Sequence, residues 1–102
     1  MDKAELIVRD PAQWAIKGVI NFHTVVALRT LGDKAIKNNS ADSVQVDFAE
    51  VTHASSSAIA LMLTWMRHMK RLRKTIKFIN VPQSIIRVAD VCGVLPTLNL
   101  AQ

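Results

Sequence analysis

Apolar and polar positions along the 102-residue chain alternate between two spacings. LIVRD (residues 6–10) and WAIKG (14–18) are short apolar runs separated by Pro11, the pattern of an opening hairpin or two neighbouring strands. From Thr24 the spacing lengthens: Val25, Leu28, Leu31, Ala35 and Ile36 recur mostly at three and four, with Arg29, Asp33, Lys34 and Lys37 between them. This predicts an amphipathic helix capped by Thr24 and closed at Asn38 and Asn39. VQVDF (44–48) reads as a strand, residues 56–73 as a helix, TIKFINV (75–81) as a strand, and 82–92 as a helix with Pro82 at its start and Gly93 at its stop. Strands alternating with helices predict an α/β fold with a mixed β-sheet and helices packed against it, all in one domain over residues 1–102.

The predicted central helix is apolar over more than one face. At 100° per residue, Ile59, Leu61, Met62, Leu63, Trp65, Met66, Met69 and Leu72 span an arc of roughly 200°, against a little over 100° for an ordinary surface helix. At the Met and Trp positions this breadth is read as a helix wedged between the sheet and a second helix. Ile59 and Leu63, just past the helix start, are read as apolar contacts for a partner.

Three consecutive serines, Ser55, Ser56 and Ser57, open that helix after a strand ending in Asp47 and a short turn. The first amides of a helix lack intrahelical partners, and a serine oxygen accepts from them. With the helix dipole, the serine positions tolerate negative charge: a phosphate, a partner's carboxylate, or only their own cap.

This stretch resembles the STAS domain family, small α/β modules found in anti-sigma factor antagonists, sulfate transporter tails and lipid transporters. VQVDF supplies the family's strand ending in Asp, Val51 its following apolar position, and SSSAIALML its helix start, which sets Ser56 at the family's Ser/Thr. The basic helix end, TIKFINV and PQSIIRVADVCGVLP continue the family's order of elements. Two departures stand out: Ser55 replaces the motif's Asp, and Ser57 and Ala58 stand where small residues, often Gly, are usual. The resemblance implies a non-enzymatic interaction module. Within the family the chain looks most like the small STAS subunits of Mla-type phospholipid ABC transporters, which dock on the ATPase subunit of a complex maintaining outer-membrane lipid asymmetry. The weakened motif favours this group. The alternative is an anti-sigma factor antagonist that binds a kinase-type anti-sigma factor and is switched by phosphorylation of Ser56. In both cases the expected partner-binding residues are Ser55, Ser56, Ser57, Ile59 and Leu63.

Charge and composition narrow the alternatives. Six of the thirteen basic residues, Arg67, Lys70, Arg71, Arg73, Lys74 and Lys77, lie close together, and no acid occurs between Glu50 and Asp90. Cations are favourable at a helix C-terminus in themselves, and the aromatic interleaving of a single-strand binding face is missing, so no nucleic-acid role is expected. His23, His53 and His68 show no metal-ligand spacing, and three glycines form no phosphate loop, so neither a metal nor another cofactor is implied. His53 is placed in the turn before the serines, and Cys92, on one helix face with Ile85, Val88 and Ala89, is assigned to the core. The start MDKAELIVRD has no signal-peptide pattern, and AIALMLTWM is too short to span a bilayer. A cytoplasmic protein that meets the inner membrane only through its partner is expected.

Overall fold

The computed structural model describes residues 2–101. Only Pro11 and Ala12 separate the first two strands, β1 (Ala4–Asp10) and β2 (Gln13–Ile20), which pair antiparallel with Leu6 opposite Ile16 and Val8 opposite Trp14. Asp10 closes the turn by accepting the Ala12 N–H at 2.8 Å. Helix α1 (Val25–Lys37) then carries the chain back so that β3 (Ser43–Ala54) lies parallel to β2, and α2 (Ser57–Arg71) does the same for β4 (Thr75–Ile79) beside β3. The mixed sheet has the order β1-β2-β3-β4. Helix α3 (Gln83–Val91) and a 3-10 turn (Leu95–Thr97) follow, after which Phe78 of β4 bonds Asn99 and Ala101 of the tail.

Strand alternation decides which face is covered. Trp14, Ile16, Val46, Phe48, Ile76 and Phe78 are buried under the helices, while Gln13, Lys17, Gln45, Asp47, Thr75 and Lys77 occupy the opposite, more open face. The result is a two-layer α/β domain, with each large buried side chain worth about 1.5–3 kcal/mol. Trp14 and Trp65 meet edge to face with centroids 5.9 Å apart, and Phe48 and Phe78 do so at 6.0 Å.

The broad apolar arc of α2 has the wedged-helix explanation over most of its length, though Met66 is only half-buried and Leu72 is exposed. Leu61, Met62, Trp65 and Met69 are buried between the sheet and α1. The two helices approach so closely that a Cβ on Gly32 of α1 would overlap the Trp65 indole.

Four local expectations are corrected. The strand does not end after Asp47: β3 runs on to Ala54, and a register shift moves the pairing from Ala15 opposite Asp47 to Lys17 opposite Glu50. Asp47 holds this bulge by accepting the Ala49 N–H at 2.8 Å, so the expected turn is absorbed into a strand that includes His53. Thr24 is the N-cap of α1, yet its hydroxyl donates to the Val19 carbonyl at 2.7 Å instead of capping. The turn is secured by Asn21, whose Oδ1 accepts the N–H groups of His23 and Thr24. Cys92 is exposed, because it sits at the C-cap beyond the part of α3 that Ile85 and Ala89 anchor to the core. No helix among the described residues is long and apolar enough to cross a membrane.

Candidate functional site: the serine turn and the two ends of helix α2

The serine turn is held by backbone bonds on both sides. Ser55 donates its N–H to the Ile20 carbonyl at 2.9 Å, which ties the turn to the end of β2. Ala58 and Ile59 then donate to the carbonyls of Ser55 and Ser56, both at 3.0 Å, so the helix opens with a tight i to i+3 turn. The Ser57 N–H goes to the Ser55 hydroxyl at 3.2 Å.

This geometry decides which serine caps the helix. Ser56 is the N-cap residue by position, but its backbone is already helical (φ −58, ψ −16) and its hydroxyl makes no cap bond. A side-chain cap needs an extended backbone at that position. Ser55 does the capping, and the Ser56 side chain is left exposed for other contacts. The amides of Ser57, Ala58 and Ile59 are already taken, so the turn presents hydroxyls more than free N–H groups.

Of the five expected contact residues, the structure brings together three. Ser55 and Ser56 are exposed and Ser57 is half-buried beside them. Ile59 is corrected: it is only 8% exposed and belongs to the hydrophobic core with Ala58 and Met62. The wide apolar arc of α2 includes Ile59 because the helix is buried on two sides there, which periodicity alone does not distinguish from an exposed apolar edge. Leu63 is half-buried, packs on the core, and opens into a different groove toward the C-terminal half of α2, with Met66 and Arg67. The five residues therefore do not form one continuous patch.

Two features were missed. Beside the serine turn lies a cleft of about 400 Å³ at the carboxyl ends of β2 and β3, lined by Ile20, Asn21, His53, Ser55, Pro82 and Ser84. Such ends of parallel strands are where open α/β sheets place ligands. Two residues beyond Ile20 stands Phe22, 72% exposed, with Val26 66% exposed one turn along. Val26 lies off the Leu28–Ile36 stripe of α1, which was the available signal for its exposure, whereas Phe22 belongs to the turn before the helix and carried no such signal.

A four-stranded mixed sheet covered on one face, with a polar turn leading from its long central strand into the central helix, is the arrangement of a STAS domain. The chain belongs to that family: the family model described as Mlab, STAS domain, matches residues 7–96. Among solved structures, its fold is similar to a chain of the Acinetobacter MlaFEDB complex in the ATP-bound Vtrans2 conformation, with a TM-score of 0.81 and 21% identity over 95% of this chain and 99% of that one. It is also similar to the anti-sigma factor antagonist SpoIIAA in its unphosphorylated form, with a TM-score of 0.74 and 20% identity over 97% of this chain and 88% of that one. The phosphorylated form of SpoIIAA, a Bacillus cell fate determinant, gives a TM-score of 0.69 at 20% identity, over 97% of this chain and 91% of that one. No curated protein sequence matches the chain. At these identities the likeness is one of fold, and it extends to both kinds of STAS protein.

Proposed function

We propose that this chain is the STAS subunit of a phospholipid-transporting ABC complex of the Mla type, that it acts by binding and not by catalysis, and that its partner is the ATPase subunit. The observation that carries this reading is the match of the Mlab family model across residues 7–96. The serine turn supports it. Ser55 stands where the family's kinase-recognised motif has Asp, and its hydroxyl is engaged inside the protein as the helix cap. Ser56 is left as an exposed contact group on a turn fixed by the bond from Ser55 to Ile20. A polar turn that keeps its shape before and after binding loses little entropy on docking. On this reading the protein is cytoplasmic and reaches the inner membrane through the ATPase.

The second reading, an anti-sigma factor antagonist switched at Ser56, is supported by the same exposure of Ser56 and by the likeness to SpoIIAA. Co-expression with the ABC transporter ATPase of the native host separates the two. The expected result is a complex stable to gel filtration that Ser56→Asp weakens at least about tenfold, since a charge placed in a desolvated interface costs several kcal/mol unless paired. Absence of such a complex, together with a growth-dependent phosphate on Ser56 in intact-mass analysis of the native protein, overturns it in favour of the antagonist.

A further inference from the structure

A groove lies away from the serines, between the C-terminal half of α2 and the outer edge of β4. It has a volume of about 490 Å³. Its floor is apolar, built from Leu63, Met66 and Ile76, and its rim carries Arg67, Lys70 and Lys74. On α2 the residues Leu63, Met66, Arg67 and Lys70 follow at intervals of three, one and three, so a single helical face supplies the apolar floor and two of the cations.

The rim charges are not neutralised within the fold. Among the described residues the contacts between carboxylates and basic side chains are those of Asp33, with Arg29 and His68, and none reaches the groove. Lys74 is held in place by donating to the Asn39 carbonyl at 2.6 Å, which spends one of its three N–H groups and none of its charge. No acid occurs anywhere from Val51 to Ala89, so the surrounding sequence offers no counter-charge either.

The backbone edge adds a direction. Thr75 donates inward to Asp42, whereas Phe78 turns its N–H and C=O outward to Asn99 and Ala101. Alternation therefore points Ile76 outward too, and its carbonyl accepts the Asn99 side-chain amide at 2.8 Å in place of a strand partner. The Ile76 N–H faces the same way, toward the groove, as an edge-strand donor suited to a peptide carbonyl.

We propose that this groove is a second docking site, for an acidic, extended segment of a partner protein that sets one apolar side chain on the Leu63–Met66–Ile76 floor and its carboxylates against Arg67, Lys70 and Lys74. A concave socket with a directional backbone donor fits a peptide better than a flat anionic bilayer, and it lacks the aromatic platforms on which nucleic-acid bases stack. Along α2 the groove begins at Leu63, roughly 10 Å from Ser56 at 1.5 Å per residue, and reaches its first cation, Arg67, at roughly 16 Å. Its occupation does not depend on which partner holds the serines.

The test uses the isolated protein and a fluorescein-labelled peptide of Asp and Glu residues around a single Leu, read by fluorescence anisotropy. The acidic peptide is expected to bind at least about tenfold more tightly than its Leu→Ser counterpart, and the double variant Arg67→Gln/Lys70→Gln to lose about tenfold in affinity. Met66→Asp should abolish binding, with circular dichroism melting to establish that it folds; the Gln variant lies on the surface and serves if it does not. Ser56→Asp should leave peptide binding unchanged, so failure here and failure of the ATPase complex are read separately. Equal binding of the Leu and Ser peptides, unchanged affinity of the double Gln variant, or tighter binding to phosphatidylglycerol vesicles or to a single-stranded RNA than to the peptide overturns the proposal.

Discussion

The Asp47 carboxylate and the Asn80 side-chain amide lie 2.9 Å apart, joining the bulge of β3 to the residue that turns the chain out of β4. The same oxygen accepts the Ala49 N–H, so one acceptor shapes a bulge in one strand and the exit from the next. Asn80 has φ +56, a left-handed conformation that Asn tolerates better than most residues.

Removing that acceptor should loosen both places at once. Asp47→Ala is expected to cost about 1–2 kcal/mol, since it deletes two hydrogen bonds to a charged group at a part-exposed site. In a double-mutant cycle with Asn80→Ala, measured by urea denaturation, the two effects should be less than additive. Full additivity would mean that the contact contributes nothing.

Gly32 should tolerate no side chain. Its Cβ would overlap the Trp65 ring, which is fully buried and cannot swing aside. Gly32→Ala is therefore expected to destabilise by about 1–3 kcal/mol and to shift the tryptophan fluorescence, the cost of overpacking outweighing Ala's better helix propensity. Thermal unfolding followed by tryptophan emission reads both.

Both α2 and α3 end in the same motif, with different residues at the left-handed position. Val94 bonds back to Ala89 and Gly93 to Asp90; likewise Lys74 bonds to Met69 and Arg73 to Lys70. Gly93 has φ +75, whereas Arg73 holds φ +58 with a full side chain. Arg73→Gly should raise stability by about 1 kcal/mol, seen as a higher urea midpoint with an unchanged slope. The equivalent change away from glycine, Gly93→Ala, should lower it.

The serines should prove unequal. Ser55→Ala removes the acceptor for the Ser57 N–H and is expected to cost about 1 kcal/mol, while Ser56→Ala should stay within about 0.5 kcal/mol of the unmodified protein. Ile59→Ala, one turn on, should cost about 2–5 kcal/mol as a core truncation. Denaturation curves for the three variants check the Ser55 cap and the buried Ile59 together.

Much of the architecture was readable from spacing, because α1 and α2 have long periodic stripes and the β1–β2 link is short. What was not readable depends on partners distant in sequence. AEVTH (49–53) has Val51 as its one large apolar residue, too little to mark a strand by itself; these residues are extended because β2 offers them pairs up to Ala54 and Asp47 holds the bulge that lets the register recover. Ile59 and Leu63 look alike along the helix, yet one meets the core and the other opens into a groove whose far wall, Thr97 and Asn99, comes from the tail. Cys92 follows the helical stripe but outlasts the helix. The serines were legible as a helix start because their residue type is fitted to one, although which of them caps was decided by a backbone angle.

The unequal lengths of the two last strands have a further effect on the cleft beside the serines. β4 pairs with Ser43 through Asp47 and stops, while β3 continues for seven more residues with β2 as its one strand neighbour. A notch is thus cut into the corner of the sheet, and Pro82 and Ser84 at the start of α3 form its opposite bank. Its depth is set by the point at which Asn80 sends the chain away. Lengthening β4 by a residue pair would carry backbone into the notch and silt up the hollow next to Ser55, leaving the serine turn itself untouched.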